Sequence, residues 1–306
     1  MRDYPRFSID PLPQPPGAGQ RLRAYLRLIR FDRPIGILLL MWPALWGLWV
    51  AGDGFPPWRV MLIFVLGVAL MRSAGCAIND FADRDIDGKV ERTGKRPLVT
   101  GDIHAWEALA VFAVLSLLAF LLVLRLNIET IRLSFAAVIL AAVYPFMKRY
   151  THLPQLVLGM AFGMAVPMAF TALQQQVPLV GWVLFAATVV WALIYDTEYA
   201  MVDRADDLKI GVKSTAILFG RHDRLIIGLL QGLMLGLLLW AGMLAGRGWA
   251  YIAGLGAAGL FFLRQQTLIR QREPRDCFAA FTSNNCVGMS VYFGLLIDYL
   301  LQRAGS

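Results

Sequence analysis

The chain has 306 residues, 58% of them hydrophobic and only 16% charged, and its mean hydropathy of +0.58 excludes an ordinary water-soluble domain. Its net charge of +8 sits in short loops between apolar runs, which suits membrane orientation and contact with anionic lipid or phosphate and speaks against a nucleic-acid partner.

Residues 1–35 form a polar segment, rich in proline at Pro11, Pro13, Pro15 and Pro16 and then basic. The first apolar run follows at a distance and lacks a small-residue cleavage site, so it reads as a retained helix, not a signal peptide. A single intramembrane domain is expected over 36–302. Runs long enough to cross about 30 Å of hydrocarbon fall at 36–52, 58–78, 107–125, 130–146, 153–173, 178–197, 224–246, 248–263 and 283–302. The fold class expected is therefore all-α and polytopic, with nine transmembrane helices. Lys and Arg mark the cytoplasmic side. Of 29 such residues, 23 lie in the N-terminal segment and in the loops after the second, fourth, sixth and eighth runs, five lie on the opposite side, and Arg72 lies inside the second run. This predicts a cytoplasmic N-terminus and a C-terminus on the opposite side, which in a bacterial inner membrane is the periplasmic one.

The second run ends in Asn79-Asp80-Phe81-Ala82-Asp83-Arg84-Asp85-Ile86-Asp87. At about 100° per residue, Asn79, Asp83 and Asp87 share one helical stripe with Asp80 beside it, while Asp85 points to the other side. The sixth run ends in a second acidic stretch, where Asp196, Asp203 and Asp207 share a face with Tyr199 and Glu198 points away. An acidic run at a helix end is ordinarily a solvated cap. Two matching ones on the cytoplasmic side, each followed by basic residues, could instead close on Mg²⁺, a hard cation that takes oxygen ligands. The halves echo one another: Lys89, Arg92, Lys95, Arg96 and Gly101 follow the first stretch, and Arg204, Lys209, Gly211, Lys213 and Gly220 the second. Such a repeat places a shared site between the halves.

Other features carry no chemistry of their own. Cys76, Cys277 and Cys286 are odd in number and unclustered, and His104, His152 and His222 are scattered, so neither a disulfide framework nor a zinc spacing is present. There is no Walker glycine loop or dinucleotide fingerprint. No obligate protein partner is evident. Helix glycines such as Gly159, Gly163 and Gly254 permit close packing.

Metal-binding carboxylates beside Arg and Lys suit a diphosphate, bridged by Mg²⁺ and clamped by guanidinium and ammonium groups. A long apolar tail on that diphosphate would explain the membrane setting, and departure of diphosphate from an allylic carbon would leave a cation able to alkylate a nucleophile. Arg72 lies seven residues before Asn79 on the same face. A charge there costs at least ~2.5 kcal/mol, so it either pairs with a buried carboxylate, snorkels, or holds an anionic acceptor, with Arg33 the next cation available for that task.

At these residues the chain resembles the intramembrane aromatic prenyltransferases, and within them the 4-hydroxybenzoate polyprenyltransferase branch of ubiquinone synthesis. The resemblance runs from about Arg27 to the last helix. Asn79, Asp80, Asp83 and Asp87 match the family's first aspartate motif. Asp196, Tyr199, Ala200, Asp203 and Asp207 match the second, followed by the Lys209, Gly211, Lys213, Ser214, Thr215 run. The segments Arg30 to Gly36, Trp42-Pro43, Tyr144 to Thr151 and Pro154-Gln155 resemble the 4-hydroxybenzoate branch. The resemblance implies a nine-helix bundle around a central cavity, Mg²⁺ as cofactor, and transfer of a polyprenyl group from its diphosphate to the ring carbon ortho to the hydroxyl of 4-hydroxybenzoate. Asn79, Asp83 and Asp87 would serve one side of the metal site and Asp203 and Asp207 the other, with Asp80 and Asp196 in support. Arg92, Arg96, Lys148, Arg149, Lys209 and Lys213 are the candidates for the diphosphate oxygens. A different aromatic acceptor, or a cation-coupled transporter, are the alternatives; the transporter is disfavoured because its sites usually lie near the midplane. Prenyl length is open at this stage.

Overall fold

The computed structural model describes residues 17–32 and 34–305. Among the described residues there are twelve α-helices and no strand. A short helix α1 (Ala18–Leu28) lies ahead of the apolar runs, followed by α2 (Ile35–Ala51), α3 (Trp58–Asp83), α4 (Ala105–Val123) and α5 (Ile128–Val143). The second half holds α6 (Pro154–Gly163), α7 (Ala165–Gln174), α8 (Leu179–Ile210), α9 (Thr215–Phe219), α10 (Asp223–Leu244), α11 (Trp249–Leu268) and α12 (Pro274–Gly305). Six segments are long and apolar enough to cross a membrane: Trp58–Asp83, Ala105–Val123, Ile128–Arg149, Pro154–Gln174, Leu179–Ile210 and Thr215–Leu244. The apolar α2 is shorter, at 17 residues.

Two expectations are corrected. The run at 153–173 is two helices meeting at Met164, because Pro167 lacks an N–H and its ring crowds the carbonyl of Gly163. The stripe Asn79, Asp83, Asp87 is broken, because α3 stops at Asp83 and Asp87 opens a separate 3₁₀ turn, Asp87–Lys89. In addition, α1 occupies part of the polar N-terminal segment. Its Ala24 and Leu28 are buried against Ala77 and Ala108 while Leu22 and Leu26 stay exposed.

Indole donors and small residues bind the centre. Trp46 of α2 stacks on Trp191 of α8 at 5.2 Å, and both are almost wholly buried. Trp42 and Trp191 donate to Asn285 and Asn284 of α12 at 2.8 and 2.9 Å, so these buried amides are satisfied from neighbouring helices. Where α11 and α12 cross, a Cβ on Gly254 would lie 2.8 Å from the Gly294 backbone. Where α6 meets α8, a Cβ on Gly159 would lie 2.8 Å from the Val189 carbonyl. Such close approach gains dispersion contact where lipid supplies no hydrophobic drive.

The two aspartate stretches end differently. α8 carries the second one as continuous helix to Ile210 and stops at Gly211, whose φ of +74° suits a residue without a Cβ. Ser214 then caps α9 by accepting from the Ile217 N–H, and the Thr215 and Thr197 hydroxyls meet at 2.7 Å, docking the loop onto α8. After α3, the turn around Asp87 is held by the Thr93 hydroxyl donating to the Asp87 carbonyl at 2.7 Å.

Candidate functional site

One cavity of about 900 Å³ runs down the bundle, at the upper end of the size of ligand sites. Its long wall is a face of α3: Ile63, Phe64, Gly67, Val68, Met71, Arg72, Gly75, Cys76, Asn79 and Asp80 follow the four-residue spacing of one helical side. The wall is apolar at its deep end and polar at the other. At the polar end Tyr195, Asp196 and Tyr199 of α8 face α3, with Arg92 and Arg96 of the intervening loop and Arg27, Arg30 and Asp32 of the N-terminal segment.

Carboxylates and cations are interleaved here. Arg30 donates to both oxygens of Asp80 at 2.7 and 3.0 Å. Arg96 bridges Asp80 at 3.1 Å and Asp87 at 2.6 Å. Arg92 forks onto Asp203 with contacts of 2.9, 3.1 and 2.5 Å and lies over the Tyr199 ring at 4.6 Å, so it ties the first loop to the second aspartate face. Lys148 pairs with Asp83, and Asn79 donates to the same carboxylate at 3.2 Å. The other oxygen of Asp83 is buried with no hydrogen-bond partner. Asp207 and Asp196 sit within the field of Lys148, Arg92 and Asp203. Burial raises the Asp87 carboxyl to about 6, with Arg96 pulling down against it and Asp83 and Asp80 pushing up. The reciprocal effect holds Arg96 firmly charged, Asp80 and Asp87 outweighing its burial.

Arg72 is the other cation of the cavity wall. Its guanidinium reaches the Cys76 thiol one turn on, and among the described residues no carboxylate forms an ion pair with it. It lies across Gly36 so closely that a Cβ there would be 2.3 Å from its Nε and Nη2, so glycine at 36 makes its seat.

Not every predicted residue reaches the cavity: Asp83, Asp87, Lys148, Asp203 and Asp207 are not among its lining residues, though Asp87 and Asp203 are paired with the lining Arg96 and Arg92 and Asp83 accepts from the lining Asn79. Arg149 donates to the Ala82 carbonyl at the end of α3, next to the site but off the cavity wall. Lys209 is largely exposed and pairs with Asp206 at 3.0 Å, and Lys213 donates to the Tyr150 carbonyl at 3.2 Å. Arg33 lies outside the described residues. Glu198 does point away, buried and accepting from Asn284 at 2.8 Å, and Asp85 is solvated. Arg30 and Tyr144 are cavity residues that spacing alone did not single out. The signal for Arg30 was its place three residues after Arg27 in a basic segment, but only α1 folding back brings it to Asp80.

No three His, Cys, Asp or Glu side chains among the described residues are gathered closely enough to hold a metal by themselves. The donors nevertheless fit Mg²⁺. They are all oxygens, one buried Asp83 oxygen lacks a partner, and Mg²⁺ characteristically takes one or two carboxylates and completes its shell with water and phosphate oxygens.

The chain's relatives are consistent in kind. The pattern of the UbiA prenyltransferase family matches residues 40–292. A 4-hydroxybenzoate octaprenyltransferase of Cronobacter sakazakii is 59% identical over 280 residues, covering 92% of this chain and 97% of the relative. One of Nitrosococcus oceani is 59% identical over 281 residues, covering 92% and 99%. Among solved structures, an apo UbiA homolog from Aeropyrum pernix K1 superposes with a TM-score of 0.76 at 25% identity, covering 86% of this chain and 97% of that one. A UbiA homolog from Archaeoglobus fulgidus bound to GPP and Mg²⁺ has a TM-score of 0.68 at 20% identity, covering 90% and 99%, and so shares the fold.

Proposed function

Since the chain belongs to the UbiA prenyltransferase family, we propose that it is a 4-hydroxybenzoate polyprenyltransferase, moving a polyprenyl group from its diphosphate to the ring carbon ortho to the hydroxyl, with Mg²⁺ as cofactor. This is the membrane step of ubiquinone synthesis. The observation that carries the reading is the cavity, with interleaved carboxylates and guanidiniums at one end and apolar walls below.

In this reading Asn79, Asp83 and Asp87 on one side and Asp203 and Asp207 on the other hold the metal, with Asp80 and Asp196 in support. A bound Mg²⁺ would neutralise charge on the diphosphate as it leaves. The cations now parked on those carboxylates, Arg92, Arg96 and Lys148, then have phosphate oxygens to turn to, and Arg149, Lys209 and Lys213 flank them. Exchange of partners keeps every buried charge compensated, which matters because an unpaired one costs several kcal/mol. Tyr199 keeps Arg92 aligned through its ring face. The allylic carbon–oxygen bond breaks, the carbon–carbon bond to the ring forms, and the ring proton is lost. Arg72, two turns deeper on the same face and without an ion pair among the described residues, takes the acceptor's carboxylate; Arg33 is the cation next in line.

The site belongs to the cytoplasmic ends of nine spans, with the N-terminus cytoplasmic and the C-terminus periplasmic, in the inner membrane. Residues 36–302 act as one catalytic domain behind a polar segment, 1–35, and need no protein partner.

Purified protein in lipid with Mg²⁺, octaprenyl diphosphate and either 4-hydroxybenzoate or other aromatic acids tests the reading. Product bearing the prenyl group ortho to the hydroxyl is expected, and it should vanish with chelator. Preferred turnover of another aromatic acceptor would replace the substrate assignment; no transfer to any acceptor would remove the reaction.

A further inference from the structure

Ten residues of α3 face the cavity, and two of them, Gly67 and Gly75, are glycines with nothing within 4 Å of where a Cβ would stand. Glycine inside a helix costs about 1 kcal/mol relative to alanine. Some helix glycines have a packing reason: Gly159, Gly254 and Gly294 each meet a neighbouring backbone within 3 Å of the Cβ position, and Gly36 seats Arg72; Gly232, Gly236 and Gly256 also meet nothing, but none of these three lines the cavity. Gly67 meets nothing, has an ordinary negative φ, and points at empty space inside the cavity. Its effect is on the width of the cavity, not on the packing of the helix.

Its depth says what that width serves. Gly67 lies twelve residues before Asn79, roughly 18 Å down the helix axis at 1.5 Å per residue. An isoprene unit has four backbone bonds against three in a peptide residue, so by proportion with the ~3.5 Å of an extended residue it spans roughly 4.7 Å. A tail starting at the metal end therefore draws level with Gly67 at about its fourth unit. Above Gly67 the cavity is bounded by Met71 and Arg72; beside it stand Phe64 and Val68, the bulky neighbours that leave this position as the gap in the wall.

Resting on the prenyl-transfer reading above, we infer that Gly67 sets the prenyl length the enzyme accepts, by leaving the cavity open at the level of the fourth isoprene unit. Short tails end above it, and long ones must pass it. A side chain at 67 acts as a floor.

The test is a ladder of donors, geranyl, farnesyl, geranylgeranyl and octaprenyl diphosphate, each with Mg²⁺ and 4-hydroxybenzoate, on the whole protein and on Gly67→Phe. The ratio of kcat/KM for octaprenyl to that for geranyl diphosphate should fall at least about tenfold, the scale on which an ill-fitting apolar group is rejected, with geranyl transfer kept. Because the readout is a ratio within one preparation, partial loss of folded enzyme does not imitate it. Gly67→Val carries the same test with a smaller shift should the Phe variant fail to insert. Gly75→Ala, one turn below Asn79, should lower all lengths alike. A ratio unchanged in both Gly67 variants would overturn the inference, since the tail would then leave above this level, between α4 and α5, where the lining residues Leu117 and Phe135 are exposed. Failure of the unaltered protein with every donor would instead strike the prenyl-transfer reading.

Discussion

Asp83 is almost fully buried, paired with Lys148 and Asn79 at one oxygen and left without a partner at the other. Asp203 is held by both forks of Arg92. Their replacement by Asn keeps size and hydrogen bonding but removes charge, so Asp83→Asn and Asp203→Asn should each abolish prenyl transfer while the protein remains inserted. The two act as one unit, and the double variant should be scarcely slower than either single one; near-normal turnover of one single variant at saturating Mg²⁺ would remove that residue from the metal set. Arg72 separates from this group because no carboxylate among the described residues forms an ion pair with it, Asp196 meeting it only through its field. Arg72→Ala deletes a charge-assisted hydrogen bond worth roughly 1.5–3 kcal/mol, so the acceptor KM should rise roughly 10- to 150-fold, with Mg²⁺-dependent binding of prenyl diphosphate unchanged. A collapse of diphosphate binding with an unmoved acceptor KM would place Arg72 in the leaving-group clamp. At this scale residue type and helical spacing were enough to put Asn79, Asp196, Tyr199 and Arg72 on faces that turn out to line the cavity, while their roles rest on the experiments above. The sequence was silent on pairing: that Arg30 binds Asp80, or that Arg92 crosses to Asp203, depends on how loops fold back over helix ends, and no period encodes that.

The helices were legible where apolar length decides them. Spans 58–78 and 178–197 were read short because their last turns are polar, yet α3 and α8 carry their carboxylates on helix to Asp83 and Ile210. Local sequence alone does not say whether a polar turn continues a helix; Gly211, which can take a positive φ, ends one, while Arg84 to Asp87 turns before any glycine. The division of α6 from α7 was foreseeable from Pro167. Glycine spacing was read generically as packing, and the structure separates its uses. Gly159 allows α6 to rest on the Val189 carbonyl, so Gly159→Leu should force the helices apart and destabilise the bundle by about 1–3 kcal/mol. Thermal unfolding in detergent, read as a lowered Tm, checks this. An unchanged Tm would mean that α6 can shift without cost.

For the whole molecule, the open matter is how the bundle sits in the bilayer, because shape alone does not orient a protein. Six segments qualify as spans on length and composition; α2, α11 and α12 fall short. α12 carries Asn284, Asn285 and Asp298 inward, where Trp191, Trp42 and the Gly248 N–H satisfy them. Polar groups so paired lower a helix's mean hydropathy without exposing a charge to lipid, so a helix such as α12 can cross and still fall below a compositional threshold. On the proposed nine-span reading, which includes those three, the two aspartate stretches and the loops rich in Lys and Arg would fall on one side, and the positive-inside rule would make that side cytoplasmic. A reporter fused after Arg303 should therefore signal periplasm, and reporters inserted near Lys95 and Lys209 should signal cytoplasm. A cytoplasmic C-terminus would leave an even number of crossings, and one of α2, α11 or α12 would then have to lie in the interface instead of crossing it.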